Sequence, residues 1–186
     1  MTYEGQRLKL VDVERGYGAA VCGDLMVWVW REPPHFSAAE CALQILARIS
    51  RSAKSQPGLW VVTHPGCTIP SVSVRRLMAS HLRLCKRLQF HGASVEGEDY
   101  EGTLMRAAMR SIAVAAGVSS AKIAADVTSV AAALPDHFPG LGPAWGQHAV
   151  RVVRAAMAHT PAWVPQVYGT TRDASTGPRG AQPLVR

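Results

Sequence analysis

The stretch from Gly58 to Leu88 constrains the fold of this 186-residue chain more than any other part. It opens with a short apolar run, Leu59 to Val62, which follows a Pro-Gly turn signal and is typical of an interior β-strand. A His-Pro-Gly sequence ends that strand, and Pro70 prevents a helix from starting earlier. The basic, amphipathic run that follows predicts a helix over 74–88. Since loops at the carboxyl ends of strands usually carry the function of an α/β sheet, we expect functional residues in the loop 63–73.

The flanking segments extend this unit into an α/β domain. Alternating or apolar β-prone runs predict strands over 6–14, 20–30, 90–96 and 122–127. An antiparallel start followed by crossovers predicts a mixed central sheet of four to five strands with crossover helices. Trp28 and Trp30 point to one face of their strand while Val27 and Val29 point to the other, so both faces should be covered.

Local signals mark the ends of the predicted helices. Ser37 and Glu40 form a capping box for a helix that ends near residue 50. Asp99 can cap a helix that begins near Tyr100, and Gly117 is a natural C-terminal stop. A shorter helix capped by Ser129 should end before Pro135.

Composition narrows the class of protein. Hydrophobic residues make up 48% and charged residues 18%, which is typical of a globular chain. No apolar run approaches the roughly 20 residues that span a bilayer, and no signal peptide is visible, so we expect a cytoplasmic protein. The four cysteines form no Cys-x-x-Cys pair. Cys41 and Cys85 each fall among apolar helix positions, and three of the four cysteines should be reduced, buried thiols. The formal charge of +7 permits binding to nucleic acid or to another anionic partner.

The C-terminal part separates from the domain in composition. We predict a domain over 1–135, a helical appendix over 136–168 and a flexible tail over 169–186. The appendix contains Trp163 and Tyr168, and these residue types often dominate interface energies. We therefore expect it to bury itself, either on the sheet face of Trp28 and Trp30, on the opposite face, or on another chain. The alternative is that a helix over 144–159 completes the core of the domain and the remaining residues are disordered.

The predicted central helix has one basic side. At 100° per residue, five basic residues fall within an arc of about 120°, and apolar residues such as Leu84 fall on the opposite side. One interpretation is a stripe that binds an anion or an acidic partner. The other is a solvated face whose arginines pair with the acidic cluster at 96–101. The stripe has no interleaved aromatic residues, which disfavours single-stranded nucleic acid. The five residues are Arg75, Arg76, Arg83, Lys86 and Arg87.

His64 and Cys67 are the His/Cys pair closest in the sequence and lie in the expected functional loop. A nucleophilic thiol needs a base within about 3 Å and some exposure, so a thiol enzyme is one hypothesis. The alternative is that turn geometry alone sets both residues. Zinc needs about four ligands and no second pair is visible, so we expect no metal and no cofactor.

Ser71 and Ser73 precede the predicted helix and admit two interpretations. Either hydroxyl can cap the helix by accepting an amide hydrogen bond, which we prefer. A phosphate on Ser71 would also lie favourably near the helix N-terminus and Arg75.

The stretch from Leu59 to Leu77 resembles the sulfate transporter and anti-sigma factor antagonist (STAS) domain. That family shows a hydrophobic strand, Leu-Ser-Gly-Val, Asp-Ser-Ser-Gly-Leu and a helix. Here Pro-Gly-Cys-Thr-Ile at 65–69 resembles the first motif, and Pro-Ser-Val-Ser-Val at 70–74 occupies the second. The resemblance implies a non-enzymatic regulatory or scaffolding module with Ser71 at the family's switch position, although Ser71 follows a Pro rather than an Asp.

Three hypotheses therefore remain open. The first is a STAS-like module that binds another protein, with acidic partners and self-association both allowed. The second is nucleic-acid binding through the helix 74–88, and the third is a thiol enzyme. The residues assigned to the partner-binding surface are His64, Cys67, Ser71, Ser73, Arg75, Arg76, Arg83, Lys86, Arg87, Trp163 and Tyr168.

Overall fold

The computed structural model describes residues 9–14, 16–22, 24–52, 57–85, 88, 90–118, 120–138, 146–147, 149–151 and 153–154. Six strands and four helices with defined ends lie within these ranges. They are β1 (Lys9–Glu14), β2 (Tyr17–Cys22), β3 (Leu25–Trp30), α1 (Phe36–Ser52), β4 (Gly58–Thr63), α2 (Val72–Leu84), β5 (Phe90–Val95), α3 (Tyr100–Ala116), β6 (Ala121–Ala124) and α4 (Val127–His137).

The strands form one mixed sheet in sequential order, β1-β2-β3-β4-β5-β6. The first three strands pair antiparallel, and β3 to β6 pair parallel through the crossover helices. The predicted α/β class and mixed sheet are confirmed. The sheet has six strands rather than four to five, because the run predicted as a single strand over 20–30 is a hairpin. β2 and β3 pair antiparallel from Tyr17↔Trp30 to Cys22↔Leu25, so the chain reverses between Cys22 and Leu25.

The sheet is covered on both faces, as predicted from the apolar alternation of β3. The core on one face joins Trp28 and Trp30 to buried side chains of α1, α2 and α3. The core on the other face joins Val27 and Val29 to α4. Three parallel crossover helices therefore lie side by side on one face, and contacts link α1 to α2 and α2 to α3.

The described part of the predicted appendix packs on the second face. Residues 146–147, 149–151 and 153–154 are helical, and Ala149 and Val153 are buried with the valines of β3. For those residues this confirms burial on the chain's own Val27 and Val29 face, and it equally fits the alternative in which a helix over 144–159 completes the core. Trp163 and Tyr168 lie outside the described residues. The predicted boundary after residue 135 falls within α4, because Pro135 is accommodated inside that helix.

The central strand was predicted correctly. All six residues of β4 are buried between β3 and β5. The indole Nε1 of Trp60 donates a buried hydrogen bond to Ser94 Oγ on β5 at 2.9 Å. A side chain at Gly58 would have no room, since a Cβ there would lie 2.5 Å from the ring of Phe138.

Helix ends show where local signals were sufficient. Asp99 caps α3 and Gly117 ends it in the left-handed region with φ 72°, both as predicted. The predicted cap at Ser37 is wrong, because α1 already begins at Phe36. The predicted cap at Ser129 is also wrong, because the Asp126 carboxylate accepts the Ser129 N–H at 2.7 Å and starts α4.

Candidate interaction surface

Three loops meet at the edge of the sheet where β3, β4 and β5 end, here called the carboxyl edge. The register pairs Trp30 with Thr63 and Thr63 with Val95, so the three strands end level with one another. The His64 N–H donates a hydrogen bond to the Trp30 carbonyl at 2.8 Å, which holds the loop between β4 and α2 against the end of β3. The loop expected to carry function therefore lies between two neighbouring loops at this edge.

The loop between β4 and α2 contains a tight turn, and two of its residues, Cys67 and Pro70, are buried. Gly66 has a φ of +79°, a conformation that favours glycine, and the Cys67 N–H donates to the His64 carbonyl at 3.2 Å. This turn points the Cys67 side chain inward, where it is 5% exposed. Thr68 is exposed and His64 is half-buried. Cys67, which we assigned to the partner-binding surface, is therefore removed from that surface.

Ser71 caps α2, as preferred from the sequence. Its Oγ accepts the Val74 N–H at 3.3 Å and lies 2.9 Å from the Ser73 Oγ. Both serines are exposed, as is Val72 between them. Phosphorylation of Ser71 stays a prediction.

The arginines of α2 divide into two groups. Arg76 and Arg83 are exposed, as predicted, whereas Arg75 is half-buried and its Nε is buried without a hydrogen-bond partner. The buried side of the helix is centred on Val74 and Met78, which lie within about 100° of Arg75. Arg75 therefore lies at the margin of the core. Lys86 and Arg87 lie outside the described residues.

The last turn of α2 also differs from the prediction. The helix ends at Leu84 rather than Leu88, and the Cys85 N–H closes it by donating to the His81 carbonyl at 3.0 Å. Leu84, predicted on the apolar side, is 74% exposed. Ser71 and Arg83 lie about 18 Å apart along the helix axis at 1.5 Å per residue. The predicted residues thus form a long strip rather than one compact site.

Arg83 binds a neighbouring helix and not the acidic cluster. Its guanidinium donates to the carbonyl of Ala115, in the last turn of α3. Carbonyls in a last helical turn have no intrahelical partner, so this contact stabilises the C-terminus of α3.

The loop between β5 and α3 is held by an arginine that sequence reasoning missed. The guanidinium of Arg106 donates to the carbonyls of Val95 and Gly97 at 3.1 and 2.6 Å. Asp99 Oδ1 accepts the Gly102 N–H at 2.7 Å. The available signal was an arginine seven residues after a capping Asp, which lies two turns along the helix and close to the same face.

Replacing Gly102 with Ala should destabilise the protein by about 1–3 kcal/mol, as overpacking does. A Cβ at this position would lie 2.6 Å from the Gly97 carbonyl oxygen and 3.0 Å from Asp99 Oδ1. Helix propensity alone predicts that Gly102→Ala would increase the free energy of unfolding, because Ala is favoured over Gly by roughly 0.5–1 kcal/mol in a helix. Urea denaturation measures the difference, and a variant more stable than the wild type would contradict this close packing.

The surroundings of Cys67 favour the thiol over the thiolate. Burial, and secondly the carboxylate of Glu32, raise the pKa of Cys67 to about 12. The Sγ donates a long hydrogen bond of 3.8 Å to the Thr68 carbonyl. A nucleophilic cysteine needs a lowered pKa, so this environment does not favour the thiol-enzyme hypothesis.

The other cysteines are also described. Cys22 and Cys85 are buried with Cys67, so three thiols are buried, as expected. Cys41 is exposed, although its place among apolar helix positions suggested burial. Burial raises the pKa of Cys85, and a hydrogen bond with Ser50 partly offsets that effect.

Wider comparisons add no assignment. Within the described residues, no group of three or more His, Cys, Asp or Glu side chains is arranged to hold a metal ion. No helix in that same part of the chain has the length and apolar character required to cross a bilayer. The sequence matches no protein-family model, and neither the curated proteins nor the solved structures provided a match.

Proposed function

We propose that this protein is a non-enzymatic regulatory or scaffolding module of STAS-like type that binds a partner protein at its carboxyl edge. One observation carries the proposal: each of the three crossover helices begins there with an exposed apolar side chain. Phe36, Val72 and Tyr100 are 48%, 52% and 77% exposed. Because α1, α2 and α3 follow parallel strands on one face, these side chains lie at the same edge. Grouped exposed apolar residues with a polar surround are typical of interaction sites.

The polar surround fits this proposal. Ser71 and Ser73 are exposed beside Val72, and Glu98 and Glu101 are exposed beside Tyr100. The β5–α3 loop is fixed by the Arg106 and Asp99 hydrogen bonds. A fixed surface loses less conformational entropy on binding than a mobile one.

The double variant Val72→Glu, Tyr100→Ser tests the proposal by removing two apolar contacts. An acidic residue in the first turn of α2 suits the helix dipole, so folding should be preserved. Affinity purification from the source cells, quantified by mass spectrometry, should recover a partner with the wild type and at least about tenfold less with the variant, equivalent to about 1.4 kcal/mol or more.

Ala132→Glu is the matched control, since Ala132 is exposed on α4 at the opposite face of the sheet. It should retain the partner. The proposal would be wrong if the wild type, the double variant and the Ala132→Glu control recovered the same proteins equally. It would also be wrong if none of them recovered a protein above the level bound by the affinity tag alone.

A second candidate is nucleic-acid binding, favoured by the exposure of Arg76 and Arg83. If about four basic residues of the 74–88 segment contact phosphates, log affinity should fall against log salt with a slope near −3 to −4. Replacing Arg76, Arg83 and Arg87 with Ala should reduce that slope. Absence of binding to DNA and RNA at low salt would exclude this candidate.

A further inference from the structure

The outer surfaces of α2 and α3 form a second exposed surface, away from the carboxyl edge. It contains the exposed arginines Arg76, Arg83 and Arg110 together with Leu84 and Val114, which are 74% and 79% exposed. These five residues are here called the basic face. Only Arg76 and Arg83 were assigned to binding from the sequence.

The two helices that carry the basic face lie side by side. Both helices run in the same direction because each follows a parallel strand, and they contact one another. The hydrogen bond from Arg83 to the Ala115 carbonyl fixes their relative height. Leu84 and Val114 are the sequence neighbours of those two residues, so the exposed apolar pair lies at the same end of the helix pair.

The charged side chains of the basic face are all positive. The sequence of α2 contains no acidic residue, and the acidic residue of α3 is Glu101 in its first turn. Arg110 lies nine residues further along, about 14 Å from Glu101 along the axis. Uncompensated arginines beside exposed apolar side chains match the composition of protein interfaces, in which Arg is enriched.

We propose that the basic face binds an acidic amphipathic helix of a partner protein. Leu84 and Val114 would pack against the apolar side of that helix, and the three arginines would pair with its carboxylates. The inference rests on the proposed function for its premise that the chain is an interaction module. It adds a separate surface and the chemical class of the segment that binds there.

Charge and dimensions favour a short acidic helix over a nucleic-acid backbone and over the chain's own C-terminal segment. From Arg76 to Leu84 the face extends about 12 Å, or just over two helical turns, and the acidic cluster begins beyond it. A phosphate backbone continuing along the surface would meet Glu98 and Glu101, whereas a short helix would not. The chain's own segment 155–186 carries three Arg and one Asp, so its charge does not complement the face.

The test uses the full chain and a synthetic 10-residue peptide, about 15 Å long and held helical by a side-chain crosslink, with Leu along one helical side and Glu along the other. Fluorescence anisotropy measures affinity, and amide chemical-shift changes map the contact. The triple variant Arg76→Gln, Arg83→Gln, Arg110→Gln should bind at least tenfold more weakly. Gln keeps a donor for the Ala115 carbonyl. The matched control Arg51→Gln, Lys122→Gln, Arg151→Gln removes the same charge from exposed positions elsewhere and should change affinity less than twofold.

Two further binding measurements distinguish apolar packing from general charge attraction. Leu84→Ser, Val114→Ser should weaken binding at least fivefold without changing its salt dependence. A scrambled peptide of the same composition should bind at least fivefold more weakly. Equal binding of both peptides, equal loss in both triple variants, or tighter binding of an 18-base-pair DNA duplex would overturn the inference. In one combination of results, the peptide fails to bind the basic face while the double variant Val72→Glu, Tyr100→Ser still loses its affinity-purified partner. That combination would overturn this inference alone and leave the proposed function standing.

Discussion

The free energy of unfolding should fall by about 3 kcal/mol between pH 6.5 and pH 4 because of one buried histidine. His91 on β5 is 0% exposed, and neither of its ring nitrogens has a hydrogen-bond partner. Burial lowers the pKa of His91 from 6.5 to about 4. This is a large share of the roughly 5–15 kcal/mol that stabilises a typical domain.

The sign follows from which state takes up the proton. Well above pH 6.5 His91 is neutral in both states and contributes no pH dependence. Between pH 6.5 and about 4 the unfolded chain binds a proton that the folded chain excludes, so acidification favours unfolding. Below about pH 4 both states are protonated at this site, and its contribution becomes constant.

The variant His91→Leu should lose most of this pH dependence, as measured by urea denaturation at half-unit pH steps. It should also be more stable than the wild type at pH 7.5, because it removes two buried nitrogens without partners. The control is His35→Gln, since His35 is exposed at the start of α1. A His91→Leu variant that keeps the wild-type slope would show that other groups cause the acid sensitivity.

Cys41 should react with iodoacetamide about 100-fold faster than Cys67 in the folded protein at pH 7.5. A pKa of about 12 leaves Cys67 with roughly 10³-fold less thiolate than an ordinary cysteine. The higher nucleophilicity of a more basic thiolate recovers only part of that deficit, with a Brønsted coefficient of about 0.4–0.5. Burial slows the reaction further, whereas Cys41 is exposed.

Peptide mass spectrometry of briefly labelled protein measures the four rates. In guanidinium chloride the four thiols should react at similar rates, which provides the control for intrinsic reactivity. Preferential labelling of Cys67 in the folded protein would contradict the described environment and would favour the thiol-enzyme hypothesis. Equal, slow labelling of all four would contradict the exposure of Cys41.

The features that were predicted correctly depend on short-range chemistry. The apolar run of β4, the Asp99 cap and the Gly117 stop each follow from the preferences of a few adjacent residues. The cap at Ser37 failed because Phe36 already belongs to α1.

The candidate surfaces were only partly predictable, because they depend on distant parts of the chain. A helical projection placed Arg75 outward and Leu84 inward, but the position of the core relative to α2 is set by the sheet and by α3. Phe36, Val72 and Tyr100 share an edge only because three consecutive crossovers lie on one face. Arg110 joins the basic face for the same reason, since no local pattern relates it to α2.

A photo-crosslinking residue at position 72 tests most directly whether the carboxyl edge binds a partner. With the full chain in its source cells, irradiation should link position 72 to one predominant protein. The same residue at position 132, exposed on α4, should not link to that protein. Crosslinking of a partner from position 132 and none from position 72 would contradict the account.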